Sequence, residues 1–378
     1  MPLILLGVVV LIVCAAHVLP LAWKSWAYGL SLSIKSLILF LLPVVIFGLL
    51  FKTAASLAKS ATQVIFLLLA AVCCSNLLST MLSYSVGHVL YLSPISIAFP
   101  EGGDQLVASW AFSLPQWVGN SHAMLAGLIL GVVFALLLPK QTPRIAEAIG
   151  KIVNAILKGF MCVMPLFVGG FVLKLVSDGH LGKIVQDYAW IFGVIACAQF
   201  AYIALLYLGA SRFSWRSALQ SIRNMLPAAM AGFGAMSSAA AMPLTLAAAE
   251  KNSSNPKLAQ AIIPATVNIH LIGDCFAIPI FAFAVLKNFG VAEPTFAAYF
   301  MFALYFVIAK FSVAAIPGGG ILVMLPILEM YLGFDAQMMS LITALYILFD
   351  PVITSANVLG NGAFSMLMSR RLSVATRS

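Results

Sequence analysis

The stretch "FVIAKFSVAAIPGGGILVMLP", residues 306–326, is greasy enough for a bilayer, yet it carries a charge at Lys310 and a break at Pro317-Gly318-Gly319-Gly320 that cannot continue a helix. A second stretch, "NMLPAAMAGFGAMSSAAAMPLTLAAAEK", residues 224–251, has the same form: Ser237-Ser238 and then Pro243 interrupt an apolar segment between two basic loops. Roughly eleven residues precede the serines, and as a helix they rise ~16 Å, about half the hydrocarbon thickness. Each stretch therefore reads as a re-entrant hairpin, entering a membrane and returning on the same side.

Lipid cannot hydrogen-bond free N–H and C=O groups, so non-helical backbone at membrane depth survives only where protein buries it or where it lines a cavity. Each tip should then face a site. Each hairpin is followed by a span with an internal polar cluster, "TVNIHLIGDC" (266–275) after the first and "ILFDPVITSANVLGNG" (347–362) after the second. One Gly/Pro break commonly marks only a kink or a close helix contact. Two in corresponding halves point to a transporter built on inverted repeats.

Composition places the rest of the chain in the same environment. Of 378 residues 63% are hydrophobic and 8% charged, against roughly 25% charged in soluble domains. Apolar runs at 2–22, 29–50, 62–86, 122–138, 154–175, 188–210, 260–286 and 336–349 are each near the ~20 residues a spanning helix needs. This gives one polytopic all-α domain over residues 1–378. Nothing basic precedes the first run, as a secretory n-region requires, so it reads as a retained helix. Six cysteines without a CxxC pair read as small buried hydrophobes, with no disulfide framework or zinc site.

The net charge of +9 forms no continuous stripe, which argues against nucleic acid. It sets topology instead. With a cytoplasmic N-terminus and both hairpins re-entrant, fourteen of the twenty basic residues fall on one side, while "SPISIAFPEGGDQLVASWAF" on the other has none. This obeys the positive-inside rule and leaves both termini cytoplasmic in a plasma (inner) membrane.

The hairpins and polar spans resemble those of the dicarboxylate/amino acid:cation symporter family, the glutamate-transporter homologues. Ser237-Ser238 with Pro243 is similar to that family's serine-rich first tip, and Pro317-Gly318-Gly319-Gly320 to its Pro-Gly second tip. Asn268 falls on its seventh-helix motif. Asp350, Thr354, Asn357 and Gly360 fall in register on its eighth-helix pattern. The resemblance implies eight transmembrane helices plus two re-entrant helical hairpins in an elevator-type fold, and a homotrimer. Scaffold-type helices would lie mainly in 1–60 and 122–222, and the transport-type core mainly in 62–92 and 225–370. It also implies a small-molecule substrate, with Na+ or H+ as coupling ion and no other cofactor or certain metal.

The departures narrow the substrate. Ile353 stands where acidic-substrate members have a carboxylate-gripping arginine, His270 and Asn361 stand at two sodium-holding aspartates, and Lys310 falls near a third sodium site. A fixed ammonium ~4 Å from a sodium ion costs roughly 4 kcal/mol at an effective dielectric of 20. Sodium coupling is thus expected to be weakened or replaced by protons, with Lys310 standing in for the ion.

Ionisable groups inside a bilayer are functional hypotheses in their own right. Asp350 would pair with a substrate ammonium, and Asn357, two turns on, faces the same way with an amide able to donate and accept. Ser237, Ser238, Gly318, Ile353 and Thr354 complete the expected substrate site. Asn268, His270, Asp274, Asn361 and Lys310 are the expected ion-coupling positions. His270 and Asp274, four apart, would share one helix face and could hydrogen-bond as a proton relay. The expected function is secondary transport of a small neutral amino acid or related zwitterion. An uncoupled exchanger, channel or sensor on the same fold is the second reading, and a dicarboxylate carrier the third. An intramembrane aspartyl protease built on Asp274 and Asp350 is poorly supported, because "IGDC" lacks the motif such enzymes use; no enzyme activity is expected.

Overall fold

The computed structural model describes residues 7, 11–12, 14–16, 18–59, 63–93, 106–115, 117–118, 120–177, 181–253, 255–311, 313 and 318–375. Ten of the 21 residues of the first apolar run, and Pro317 of the second tip, lie outside them. The elements are α1 Leu21–Lys59, α2 Gln63–Leu92, α3 Asn120–Leu137, α4 Thr142–Ser177, α5 Leu181–Ala210, α6 Trp215–Ala235, α7 Ser238–Asn252, α8 Pro256–Thr266, α9 Ile272–Asn288, α10 Phe296–Lys310, α11 Gly319–Leu332 and α12 Ala336–Ala375. No strand occurs among the described residues. Among the described residues three stretches, Phe66–Leu92, Tyr188–Ala210 and Gln337–Leu372, are long and apolar enough to cross a membrane.

The chain forms two compact units. The first comprises residues 3–61 and 97–188, with α1 packed on α3 and α4. Small residues carry this packing: Gly48 sits against Val153, and Gly131 against Ala54, so the backbones approach closely, as membrane helices do at small positions. The segment 106–115 runs along α1, where Phe112 N–H donates to Ser33 Oγ at 2.9 Å and Leu114 N–H to Ser36 Oγ at 2.7 Å.

The second unit comprises residues 62–96 and 189–378. Two pairs of helices fold back on themselves within it. In α6–α7 the far ends are joined by Asn224 Nδ2 donating to Asn252 Oδ1 at 2.7 Å and Asn252 Nδ2 donating to the Ser221 carbonyl at 2.9 Å. The near ends meet at a sharp turn, where Met236 adopts a left-handed backbone and Ser237 caps α7. In α10–α11 the Tyr305 and Tyr331 rings stack at 4.6 Å, and Gly318, at φ +71°, opens α11. A side chain there would be strained, which is why the turn needs glycine.

Two expectations are corrected. The apolar run 260–286 is not one helix: it breaks at residues 267–271, between α8 and α9. Nor are the cysteines uniformly buried, since among the six free thiols only Cys275 is buried in the protein. A thiol on a face turned to lipid satisfies the same apolar preference.

Candidate functional site

The break between α8 and α9 is stabilised from outside. Asn76 of α2 donates Nδ2 to the Ile269 carbonyl at 2.7 Å and accepts the Leu271 N–H at Oδ1, 3.3 Å away. Asn361 of α12 donates Nδ2 to the His270 carbonyl at 3.1 Å and to the Asn357 carbonyl at 3.0 Å. Two asparagine side chains thus take up backbone groups that an unbroken helix would satisfy internally. The break lets α9 start afresh, and Gly273 N–H in its first turn donates to Asn357 Oδ1 at 2.8 Å.

That first turn places Asp274 in a closed network. Lys310, at the end of α10, lies 2.8 Å from Asp274 Oδ2, and Tyr346 of α12 donates its hydroxyl to Asp274 Oδ1 at 2.8 Å. Asn357 Nδ2 reaches the same Oδ1 at 3.5 Å. Lys310 is 0% exposed and Asp274 1%, and the ammonium also sits over the Phe306 ring, 4.5 Å from its centroid. A buried pair is tolerated only with good geometry and further hydrogen bonds; both are present.

Asp350, 3% exposed, lies one turn beyond Tyr346 on α12. Its Oδ2 accepts the Gly318 N–H at 2.8 Å, and its Oδ1 accepts the Thr354 hydroxyl at 3.0 Å. The second tip is therefore held against α12 at Asp350. The first tip reaches the same helix: a Cβ added at Gly232 would lie 3.4 Å from Thr354 Cγ2 and 2.9 Å from Val358 Cγ2. One at Gly320 would lie 2.7 Å from Asp274 Oδ2 and closer still to the Tyr346 hydroxyl, so α11 approaches the Asp274 network as nearly as a residue without a side chain permits.

The structure thus joins Asp274, Lys310 and Asn357 in one network and Gly318, Asp350 and Thr354 in another. Ile353 is fully buried. Ser237 accepts the Ala240 N–H at 3.3 Å as the cap of α7, and Ser238 is buried behind it. Asn268 lies exposed in the broken turn. The hydrogen bond expected between His270 and Asp274 is absent. His270 sits in the break, not on the α9 face, with Nε2 bonded to Ser75 Oγ at 2.9 Å and its ring against Phe364 at 4.3 Å. His270 Nδ1 and Asn361 Oδ1 are buried without a hydrogen-bond partner.

Sequence reasoning missed Tyr346 and Asn76. Tyr346 lies four residues before Asp350 on one helix, a spacing that would have placed it on the site face. Asn76 is a polar residue within an apolar span, the signal that singled out Asp350. Among the described residues no group of three His, Cys, Asp or Glu side chains could hold a metal ion.

Comparison with protein families finds that the model of the sodium:dicarboxylate symporter family matches residues 1–371. A search of curated proteins finds no match.

Proposed function

Because the chain belongs to the sodium:dicarboxylate symporter family, whose members are transporters and not enzymes, we propose that it is a sodium-independent carrier of a small neutral amino acid or related zwitterion. The observation that carries this reading is the buried contact of Lys310 with Asp274 at 2.8 Å. A protein ammonium already neutralises the carboxylate that a metal cation would need. Asn268, His270 and Asn361, at the other expected ion positions, are uncharged donors and acceptors when the imidazole is neutral.

Asp350 is left as the acid for the substrate's ammonium group. The substrate carboxylate would lie toward the N-termini of α7 and α11, where Ser237, Ser238 and Gly318 stand and where each helix presents roughly half a positive charge. Thr354 borders the two. Ile353 offers no charge to a second carboxylate, and an unpaired buried carboxylate costs several kcal/mol, so aspartate and glutamate are poor ligands in this reading.

The hairpins belong to the same proposal as re-entrant elements. At 15 and 14 residues, α10 and α11 reach ~22 Å, short of the ~30 Å hydrocarbon core. A homotrimer in the inner membrane, with a moving core mainly in 62–92 and 225–370 and cytoplasmic termini, completes the picture.

Substrate counterflow into proteoliposomes tests it, with the common amino acids offered in turn. Uptake of a neutral amino acid should be unchanged when sodium is replaced by potassium or choline. A steep dependence on external sodium, or micromolar aspartate binding by calorimetry, defeats the proposal.

A further inference from the structure

Among the described residues the buried acids are Asp274 and Asp350, and the one buried lysine or arginine is Lys310. Lys310 is committed to Asp274. Asp350 has only neutral donors, the Gly318 N–H and the Thr354 hydroxyl. The charged and titratable groups that face it from the neighbouring elements are Asp274 on α9, already paired with Lys310 on α10, and Tyr346 on its own helix, whose hydroxyl is given to Asp274. No second cation reaches it from α11, which offers backbone alone at Gly318–Gly320. Among the described residues, then, the core holds one buried carboxyl group with no counter-charge.

We infer that Asp350 alternates between a proton and the substrate's ammonium group, so that the carrier exchanges one for the other across the membrane. This rests on the reading of Asp350 as the ammonium site. In the empty carrier the carboxyl oxygen holds the proton and the core crosses neutral. On binding, the O–H bond breaks, the proton leaves to the compartment from which the substrate came, and the carboxylate pairs with the arriving ammonium. Release on the other side reverses the step, with the proton drawn from that compartment. Each carboxyl oxygen accepts one hydrogen bond, which leaves lone pairs for either occupant. An ordinary proton symporter would need a second buried acceptor beside Asp350, able to titrate while the substrate is bound; the buried imidazole of His270 lies instead in the α8–α9 break, against Ser75 and Phe364. Asp274 is the other buried acid, and its two oxygens receive Lys310, Tyr346 and Asn357.

The consequence is that protons and substrate compete. Uptake is driven by a proton gradient directed against the substrate, and the substrate's affinity rises as pH rises in the range where the empty carboxyl is protonated, because proton release then limits binding.

Infrared difference spectroscopy on the purified full chain in lipid, without ligand and at neutral pH, should show a protonated carboxyl band. It should shift on labelling aspartate with 13C at its side-chain carboxyl and vanish in Asp350→Asn. If that variant does not fold, Thr354→Val should shift the band instead by removing the hydroxyl at Oδ1. An amino acid that binds by calorimetry should bleach the band and release about one proton per protomer into a pH indicator. An empty protein with no such aspartate band, or an amino acid that binds without proton release, overturns the inference alone. If none of the common amino acids binds, the ammonium-site reading falls, and the exchange step with it.

Discussion

The Lys310 ammonium lies 2.8 Å from Asp274 Oδ2, with both side chains sealed from solvent. The pair joins the end of α10 to the first turn of α9, so the charge that neutralises Asp274 also anchors one arm of the second hairpin.

Removing the lysine should separate these two roles. Lys310→Ala leaves a buried carboxylate without its partner, a loss of about 3–5 kcal/mol. It should also create a dependence of the melting temperature on sodium relative to choline that the native protein lacks. Thermal unfolding in the two salts reads both effects; equal salt response in native protein and variant would refute the substitution of lysine for cation. In a double-mutant cycle, Lys310→Met and Asp274→Asn should be non-additive by about 0.5–3 kcal/mol.

Asp350→Asn should abolish amino acid binding in calorimetry while the protein remains folded. The amide still offers an oxygen to the Gly318 N–H, which lies 2.8 Å from Asp350 Oδ2 in the native protein. Unaltered affinity would remove Asp350 from the site.

Gly320→Ala places a methyl group against the Tyr346 hydroxyl and 2.7 Å from Asp274 Oδ2. Overpacking of this kind costs about 1–3 kcal/mol. Tyr346→Phe removes the nearest clashing atom and should recover part of the loss. Denaturant unfolding of the two single variants and the double measures this, and strictly additive losses would count against the contact.

Asn76→Ala should strip the Ile269 carbonyl and the Leu271 N–H of their partners, at about 1–3 kcal/mol for each buried group left unpaired. Asn76→Asp keeps an acceptor for Leu271 and should lose less. Hydrogen exchange over residues 267–272 should accelerate in that order, and unchanged protection in Asn76→Ala would show that the break is held by other means.

The breaks between α6 and α7 and between α10 and α11 were legible because serine, proline and glycine interrupt apolar runs there. Asp350 stood out as an acid inside an apolar run, Asn357 by lying two helical turns beyond it, and Thr354 through the family resemblance. The partners were not legible. A register on one helix cannot reveal that Asn357 is committed to Gly273 on α9, or that Asp274 turns to Lys310 and not to His270. Those pairings depend on the break at 267–271, and the break is stabilised by Asn76 from α2, nearly two hundred residues away in the chain. The run 260–286 has the composition of a continuous helix, and a tertiary contact overrides it.

Both tips rest on α12 one turn apart, the second at Asp350 and the first beside Thr354. A single inserted or deleted residue between these positions would swing one contact about 100° around the helix relative to the other. A change in the number of residues at 351–353 thus alters both contacts at once. Length variation among descendants of this sequence should therefore collect in the loops and be excluded from this turn.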